Sequence, residues 1–378
     1  MSPGSRDHLA VFLATSGHSG VDRIMGILLP HIASLGIKVD LLHVKGKGPH
    51  LPPDQGDIRI VELGSSHSFT SLAPLVRYLK REKPHALLSD KDRVNQIALL
   101  ARRLAGTPTR VVVRSGTNIT QTLKHRGSLE KFRHFLSMRY LYRMADGILT
   151  ASEGAADDLA GFSGMSRQKI SVIPNPVDKE MLFRLASEPV SHPWFSRKTL
   201  PVIVGLGELG GSKDYETLIR AFSIFRKGRG ARLFIMGDGK KRARLKALAE
   251  ELNLAADIHF FGYTANPFPY LSRADLFVQS SRYEGFGMAL LEALALGIPS
   301  VATDCPSGPR DILQEGLYGK LVPVGDVQAM AEAITRTLDS PPESPMIMRA
   351  ALPYSLDRVA HEYMELLGLR SQTEPEKK

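Results

Sequence analysis

Residues 276–293 read LFVQSSRYEGFGMALLEA, and this stretch decides how the chain is expected to fold. An apolar run typical of a buried strand comes first, a turn with two glycines follows, and a run with helical character completes the unit. Strand, turn and helix in this order form the repeating unit of a parallel α/β sheet. Ligands bind beyond the carboxyl ends of such strands, so the turn is a candidate binding site.

Strand-forming and helix-forming runs alternate along the whole chain and fall into two groups. In the first group we predict strands at 8–15, 37–43, 58–63, 86–89, 110–114 and 147–150, and helices at 20–35, 72–81, 93–104 and 129–144. Pro174 and Pro176 end this group because proline breaks helices. The alternation then resumes at residue 202. Two sheets of similar size predict an α/β fold with two Rossmann-like domains facing across a cleft.

Composition places the chain among globular enzymes. Its 378 residues are enough for two domains, and 43% of them are apolar. No run reaches the roughly 20 apolar residues that span a bilayer, and the first residues lack the apolar stretch of a signal peptide. The single cysteine, Cys305, excludes an internal disulfide and fits a reducing compartment. We therefore expect a cytoplasmic protein.

Positive charge is concentrated in the first half of the chain. The net charge is +10, and residues 101–143 contain ten lysines and arginines but one acidic residue, Glu130. The aromatic residues among them are Phe132, Phe135, Tyr140 and Tyr142. Basic side chains attract anionic lipid head groups, and aromatic rings settle at the membrane interface. Peripheral docking on the cytoplasmic face of an anionic inner membrane and a simple solvated helix are equal alternatives, and we expect no nucleic-acid partner.

Two motifs suggest other chemistry and are rejected on their context. GLGELG at 205–210 matches the dinucleotide-binding fingerprint, but more loop residues follow before the next helix begins. The acid expected about 20 residues later is missing, because Asp238 comes too late. Asp90 and Asp92 match a metal-binding D-x-D pattern, but Lys91 between them opposes a cation. We expect a helix start there, where acids favour the dipole, and no metal.

The turn in the opening stretch has the chemistry of a sugar-phosphate site. Gly285 and Gly287 let backbone N–H groups approach a ligand closely. The helix start behind them offers N–H donors and a dipole that favours a phosphate. Glu284 can accept hydrogen bonds from sugar hydroxyls, whereas Glu292, two helical turns further on, reaches a different part of the ligand. The alternative is that Glu284 is an acid near a helix start and Glu292 an exposed helix residue.

These residues resemble the retaining glycosyltransferases of family 4, which have the two-Rossmann GT-B architecture. The resemblance covers nearly the whole chain and is most specific in 170–325. Glu284 and Glu292 match that family's E-x7-E motif, which implies that Glu284 holds hydroxyls of the transferred sugar and Glu292 those of the ribose. Lys213 matches the lysine that neutralises the donor diphosphate.

The resemblance implies further site residues and a division of labour. Gly20 would belong to a first-domain loop that closes over the diphosphate and the acceptor. In the second domain the donor site would also take in Gly207, Gly237, Gly285, Phe286, Gly287 and Met288. Residues 1–185 would bind the acceptor and residues 186–354 the nucleotide-sugar, with a helix at 355–370 packing back on the first domain.

Two departures from the family pattern affect the site. The family arginine of the G-R-L segment is Glu208 here, and an acid repels a diphosphate. Either Glu208 turns away from the site or another cation compensates, and Arg310 is the candidate cation. The family histidine after strand 110–114 is absent, and we expect Asn118 or a backbone carbonyl to take its catalytic place beside Glu284 and Lys213.

The resemblance implies a hexosyltransferase-type enzyme that needs no cofactor or metal. It would move a sugar from a nucleotide-diphospho-sugar to a glycan or lipid-linked acceptor in cell-surface polysaccharide or lipopolysaccharide synthesis. Two alternatives stay open: a non-catalytic nucleotide-sugar-binding relative, motivated by Glu208, and an NAD-dependent oxidoreductase. The sequence does not determine the base, the sugar, the acceptor or the oligomeric state.

Overall fold

The chain forms two compact α/β units. The computed structural model describes residues 7–15, 20–49, 58–65, 67, 69–124 and 126–371. The first unit takes in residues up to Pro176 together with those from Leu356 onward, and the second is Val177–Ser355. Each unit is built on one sheet in which all strand pairs between named strands are parallel. Parallel strands need crossover connections, and helices supply them here.

Within the described residues, the first sheet has seven strands in the order β3-β2-β1-β4-β5-β6-β7. The strands are β1 (His8–Phe12), β2 (Lys38–His43), β3 (Ile58–Glu62), β4 (Ala86–Asp90), β5 (Arg110–Ser115), β6 (Gly147–Thr150) and β7 (Ile170–Val172). The helices are α1 (Gly20–Ser34), α2 (Leu72–Glu82), α3 (Asp92–Ala105), α4 (Ile119–Leu123), α5 (Ser128–Leu136) and α6 (Glu153–Ser163). Strand order reverses between β1 and β4, where a doubly wound sheet opens a crevice for ligands.

The second sheet repeats this plan in the order β10-β9-β8-β11-β12-β13. The strands are β8 (Val202–Leu206), β9 (Arg232–Met236), β10 (Ile258–Gly262), β11 (Leu276–Gln279), β12 (Ser300–Thr303) and β13 (Lys320–Val322). The helices are α7 (Lys179–Ala186), α8 (Pro193–Ser196), α9 (Tyr215–Arg226), α10 (Arg242–Glu251), α11 (Phe268–Leu271), α12 (Met288–Ala295), α13 (Pro309–Ile312), α14 (Val327–Asp339) and α15 (Ser344–Met348). Here the order reverses between β8 and β11, so the loops after these two strands meet at the switch point.

The division between the units lies earlier than the sequence suggested. Contacts divide the chain after Pro176, whereas the sequence suggested 185/186. The helix α7 contacts the second unit, since Asn266 Nδ2 donates to the carbonyl of Leu185 at 3.0 Å and Arg273 Nη1 to that of Ala186 at 3.2 Å. The two ends of the second unit lie side by side, since Val177 forms a β-bridge with Ser355.

A last helix, α16 (Leu356–Leu367), returns the chain to the first unit and packs against α1 and β5. Arg110 Nε donates to the carbonyl of Leu366 at 2.9 Å. Five α16 residues are buried, which is what an amphipathic helix against a sheet requires: Val359, Ala360, Tyr363, Met364 and Leu367.

The long helix predicted at 129–144 is interrupted. After α5 the backbone passes through a π-helical turn at Ser137–Leu141 and a 3-10 turn at Tyr142–Met144. These turns bury Tyr142, whose hydroxyl accepts a hydrogen bond from Asn95 Nδ2 at 2.9 Å. Regular helical periodicity would rotate the later residues, so we attribute the change of winding to this buried contact.

A buried carboxylate joins β1, β2, β3 and α2. Asp40 is fully buried and pairs with His8 Nε2 at 2.9 Å, while Arg59 Nε and the hydroxyl of Tyr78 donate to it at 2.9 and 2.6 Å. Burial alone would raise the pKa of Asp40, but the hydrogen bonds from His8, Arg59 and Tyr78 hold that pKa well below its usual range. Asp40 is therefore charged in the folded protein across the physiological pH range.

Candidate active site

The loop after β8 carries a lysine over two closely packed glycines. A Cβ on Gly207, whose φ is +150°, would lie 3.0 Å from Lys213 Cε, and one on Gly205 would lie 2.9 Å from the ring of Tyr215. The Tyr215 ring leaves no room for a side chain at 205, whereas at 207 the positive φ is what disfavours any residue but glycine. The helix α9 begins only at Tyr215, so the loop continues beyond 205–210, as the sequence context predicted.

A second loop, after β9, packs directly on the first. A Cβ on Gly237 would lie 1.9 Å from the carbonyl oxygen of Gly207, and one on Gly239 would lie 2.6 Å from that of Leu209. Leu209 N–H also donates to the carbonyl of Asp238 at 2.9 Å. Gly237 therefore supports the loop that carries Lys213, because no larger residue fits between the two backbones.

An ion pair joins the loops after β8 and β11 at the switch point. Lys213 Nζ lies 2.6 Å from Glu284 Oε1, and Ser281 Oγ donates to the same oxygen at 2.6 Å. The side chains of Lys213 and Glu284 are only 22% and 10% exposed, respectively. Two further hydrogen bonds link the loops, from Arg282 N–H to the carbonyl of Ser212 at 2.7 Å and from Ser280 Oγ to that of Lys213 at 2.8 Å. The structure thus brings together two residues that lie 71 positions apart in sequence.

The charge of Glu284 acts on its neutral neighbours. Burial raises the pKa of the Cys305 thiol to about 12, and the carboxylate of Glu284 adds to this effect. Burial and the same carboxylate raise the pKa of Tyr215. A thiol with so high a pKa remains protonated near neutral pH, so Cys305 is not an activated nucleophile.

The turn between Glu284 and α12 is supported from behind by the loop after β12. Gly287 has a φ of +110° and directly precedes Met288, the first residue of α12. A Cβ on Gly308, whose φ is +105°, would lie 1.6 Å from the carbonyl oxygen of Phe286. Phe286 is buried and packs edge-on against Tyr354, with ring centroids 5.6 Å apart. The first N–H groups of α12 have no intrahelical partner and are preorganised for an anion.

Glu292 is buried in α12, with 3% of its surface exposed. The alternative that it is an exposed helix residue is therefore wrong. A buried carboxylate needs hydrogen-bonding partners, so its position calls for a specific role.

Arg310 and Glu208 differ in their surroundings. The guanidinium of Arg310 is bound by Asp304, with Nε 3.0 Å from Oδ1, and Glu315 lies 3.9 Å away. Asp304 therefore neutralises much of the positive charge that we expected to compensate for Glu208. Glu208 itself is exposed on the loop after β8.

Of the two predicted site residues of the first unit, Asn118 has a local structural role. Asn118 is the N-cap of α4, and its Oδ1 accepts hydrogen bonds from Gln121 N–H and Thr120 Oγ1, both at 3.1 Å. Gly20 begins α1, and a Cβ there would meet nothing within 4 Å. The loop residues 16–19 before it lie outside the described residues.

Sequence reasoning missed a buried cluster at the carboxyl ends of β4 and β5. The guanidinium of Arg114 donates to Asp90 Oδ2 at 2.5 Å, to Asn175 Oδ1 at 2.7 Å and to the hydroxyl of Tyr363 at 3.1 Å. An arginine that ends an apolar strand was the available signal. Asp92, in the first turn of α3, instead binds His134 Nδ1 at 2.6 Å.

Two statements hold for the part of the chain that the structure describes. It contains no group of three or more histidine, cysteine, aspartate or glutamate side chains placed to hold a metal ion. It also contains no helix with the length and apolar character needed to cross a membrane.

Comparison with known proteins identifies the class. Residues 189–352 match the family model described as glycosyl transferases group 1, and residues 19–176 match that described as glycosyl transferase 4-like domain. The fold and these matches define a GT-B glycosyltransferase. The N-acetylgalactosamine-N,N'-diacetylbacillosaminyl-diphospho-undecaprenol 4-alpha-N-acetylgalactosaminyltransferase of Campylobacter jejuni is 30% identical over 346 residues, which make up 88% of this chain and 90% of that relative. The chain belongs to the group 1 glycosyl transferase family, with a 4-like first domain.

Solved structures share the fold. The lipopolysaccharide outer core galactosyltransferase WaaB, in its apo form, aligns with a TM-score of 0.73 and 21% identity, covering 96% of this chain and 99% of that one. Alr3699/HepE of Anabaena, in complex with UDP, aligns with a TM-score of 0.77 and 16% identity over the same shares of the two chains. The predicted fold class and the transferase activity are confirmed, and the oxidoreductase alternative is excluded.

Proposed function

We propose that this glycosyltransferase moves a sugar, with retention of anomeric configuration, from a nucleotide-diphospho-sugar to a glycan or lipid-linked acceptor of a cell-surface polysaccharide or lipopolysaccharide. The observation that carries the proposal is the Lys213–Glu284 ion pair at the switch point of the second sheet. Relatives support the acceptor class, since one is named for a diphospho-undecaprenol substrate and others for lipopolysaccharide synthesis. Alr3699/HepE, which shares the fold, was solved in complex with UDP.

The second unit supplies the donor-binding groups in this proposal. Lys213 faces the diphosphate, and the N–H groups of Gly287 and Met288 at the start of α12 share its charge. Glu284 accepts hydrogen bonds from the hydroxyls of the transferred sugar, and Glu292 binds those of the ribose. As the sugar–phosphate bond breaks, negative charge develops on the leaving phosphate, and preorganised cations and N–H groups stabilise it. The acceptor oxygen bonds to the anomeric carbon while the leaving phosphate accepts the proton of that hydroxyl, and no metal ion takes part.

Lys213→Met and Glu284→Gln test these roles. We expect Lys213→Met to weaken binding of the nucleoside diphosphate and to lower the transfer rate by about 100-fold or more, the usual cost of losing a preorganised charge. Glu284→Gln should lower transfer while the nucleotide still binds. Donors would be sought in a panel of UDP-, GDP- and ADP-sugars by thermal stabilisation and slow hydrolysis.

A matched control lies at the amino ends of the same two strands, β8 and β11. Lys198 pairs with Asp275 at 2.7 Å, so Lys198→Met also breaks an ion pair but should leave transfer unchanged. The donor site is misassigned if Lys213→Met and Lys198→Met have the same activity. Retention is tested separately, by the anomeric configuration of the first product formed, and an inverted product would overturn it.

We also propose that the first unit docks peripherally on an anionic inner-membrane surface through α5. No residue of α5 is buried, and Leu129 and Phe132 are 74% and 55% exposed. Arg133 is exposed and Lys131 half-buried on the same helix, and both are cations that complement anionic lipids. His134 and Asp92 fasten the helix to α3 through their 2.6 Å contact, so the apolar side chains project from a fixed base.

Vesicle sedimentation tests this docking surface. The Leu129→Ser, Phe132→Ser double variant should lose binding to vesicles of phosphatidylglycerol and phosphatidylethanolamine while keeping its thermal stability. Leu352→Ser is the control, because Leu352 is 60% exposed but lies in the second unit. Equal binding of the double variant and the control would exclude α5 as the docking element.

A further inference from the structure

The side-chain amide of Gln279 is a buried polar group without a role in the mechanism above. Gln279 ends β11 and is 4% exposed. Among the described residues, no hydrogen-bond partner lies within reach of its Oε1 or its Nε2. Buried donors and acceptors are nearly always paired because an unmet one costs free energy. An amide whose donor and acceptor are both unpaired therefore points to a hydrogen bond that forms in another state of the protein.

This amide lies beneath the turn that opens α12. A Cβ on Gly287 would lie 3.5 Å from Gln279 Nε2 and 3.9 Å from Oε1, so the amide touches the N-cap of that helix. Leu276 and Val278 belong to the core on one face of the sheet. Because side chains alternate along a strand, Gln279 lies on the other face, where α12 packs on β11.

A glutamine at this place needs an explanation that packing does not supply. A methionine has the same length, would fill the same space and would carry no unmet polar group. What an amide adds is one acceptor and two donors in a fixed plane. The backbone beside this amide, just beyond hydrogen-bond distance, is that of Gly287, in the turn that also contains Gly285.

We propose that Gln279 is a positioning residue for the donor, whose amide hydrogen-bonds the peptide groups of the turn 285–288 when that turn closes on the diphosphate. Glycine lets the backbone of this turn shift. A shift of the turn towards the diphosphate brings its peptide groups within hydrogen-bond distance of Gln279, while the N–H groups that open α12 keep their direction. The amide has no hydrogen-bond partner in the free enzyme and gains one in the donor complex, so Gln279 favours the donor-bound form. The inference rests on the proposed function, because it requires a diphosphate over the start of α12.

Gln279→Met gives opposite effects on stability and on donor binding if this account is right. The free variant should melt at or above the wild-type temperature, because an unmet amide has been replaced by an apolar group. Its KM for the donor should rise about tenfold, the usual effect of a lost hydrogen bond, while kcat changes little. The thermal shift given by the best nucleoside diphosphate among UDP, GDP and ADP should shrink in parallel.

Thr337→Val is the matched control in the same unit. Thr337 is also buried, but its Oγ1 donates to the carbonyl of Ala333 at 2.8 Å. We expect Thr337→Val to lower the melting temperature and to leave KM at its wild-type value. A Gln279→Met variant that behaves like this control would overturn the inference, because Gln279 would then be purely structural.

Two further variants complete the test. Gln279→Glu keeps an acceptor but adds negative charge near the diphosphate, so it should raise KM by more than tenfold, and a wild-type KM would contradict the proposal. Lys213→Met separates the two levels of inference. If it abolishes transfer while the Gln279 variants bind donor normally, the proposed function stands and the role of Gln279 fails. If it has no effect, the donor site itself is misplaced.

Discussion

Replacing Arg114 with methionine should unfold the first unit at much lower denaturant concentration. Arg114 is 1% exposed, and its guanidinium donates to Asp90, Asn175 and Tyr363. Breaking a buried ion pair by removing one partner costs about 3–5 kcal/mol, because the remaining charge stays buried. Asp90 keeps one hydrogen bond, from Lys91 N–H at 2.7 Å, which softens the loss. We therefore expect the free energy of unfolding to fall by about 4 kcal/mol, a large part of the stability of an ordinary domain.

Urea unfolding followed by circular dichroism measures this loss of stability, and two further variants show which interaction causes it. Tyr363→Phe removes one acceptor and should cost about 1 kcal/mol. The double variant Arg114→Met, Asp90→Leu should recover about half of the loss, because it removes the orphaned charge as well. The fluorescence of Trp194, the single tryptophan, reports on the second unit. The reasoning is refuted if Arg114→Met unfolds like Tyr363→Phe, or if the double variant is less stable than Arg114→Met.

Three further predictions concern other parts of the molecule. Because the pKa of Asp40 is lowered on folding, its charge stabilises the folded state above the unfolded pKa of about 3.9, and this stabilisation is lost as pH falls below that value. Asp40→Asn should therefore have a lower free energy of unfolding at pH 7, and in urea titrations that free energy should decrease less on acidification than in the wild type. Gly308→Ala forces a Cβ against the carbonyl of Phe286 and should abolish the nucleotide-induced thermal shift, whereas Gly211→Ala, with nothing within 4 Å, should preserve it. Arg310→Ala should raise the donor KM several-fold if Arg310 offsets Glu208, and an unchanged KM would exclude that role.

The α/β class followed from sequence because buried parallel strands are short apolar runs. The strand at 147–150 was predicted with the observed bounds, and those at 37–43, 58–63, 86–89 and 110–114 were predicted to within one residue at one end. The helices α6 and α10 were missed, since each buries only three or four residues and the apolar pattern of such a face is weak. The interruption after α5 depends on the long-range contact of Tyr142, which no local pattern reveals.

The candidate site was only partly accessible from sequence. The glycine turn and Glu284 were recognisable as local chemistry, because strand, turn and helix follow one another directly. Contact between Lys213 and Glu284 depends instead on β8 and β11 being neighbours, which is a property of strand order. The need for glycine at 237 and 308 arises from backbones that are distant in sequence, as the 1.9 and 1.6 Å approaches of a Cβ show. For the same reason, the missing partner of Gln279 could be recognised only in three dimensions.

The bridge between Val177 and Ser355 makes the second unit a cassette inserted into the first. The two ends of this unit are adjacent, and Val177 N–H donates to the carbonyl of Tyr354 at 2.8 Å. An exchange of residues 177–355 between relatives thus makes two chain junctions, but both lie at the same place, so only one local structure has to match. Recombination at that location would let evolution change one half of the enzyme while inheriting the other intact. Chimaeras joined there should fold, whereas chimaeras joined at 185/186 should not, because that junction separates α7 from its contacts.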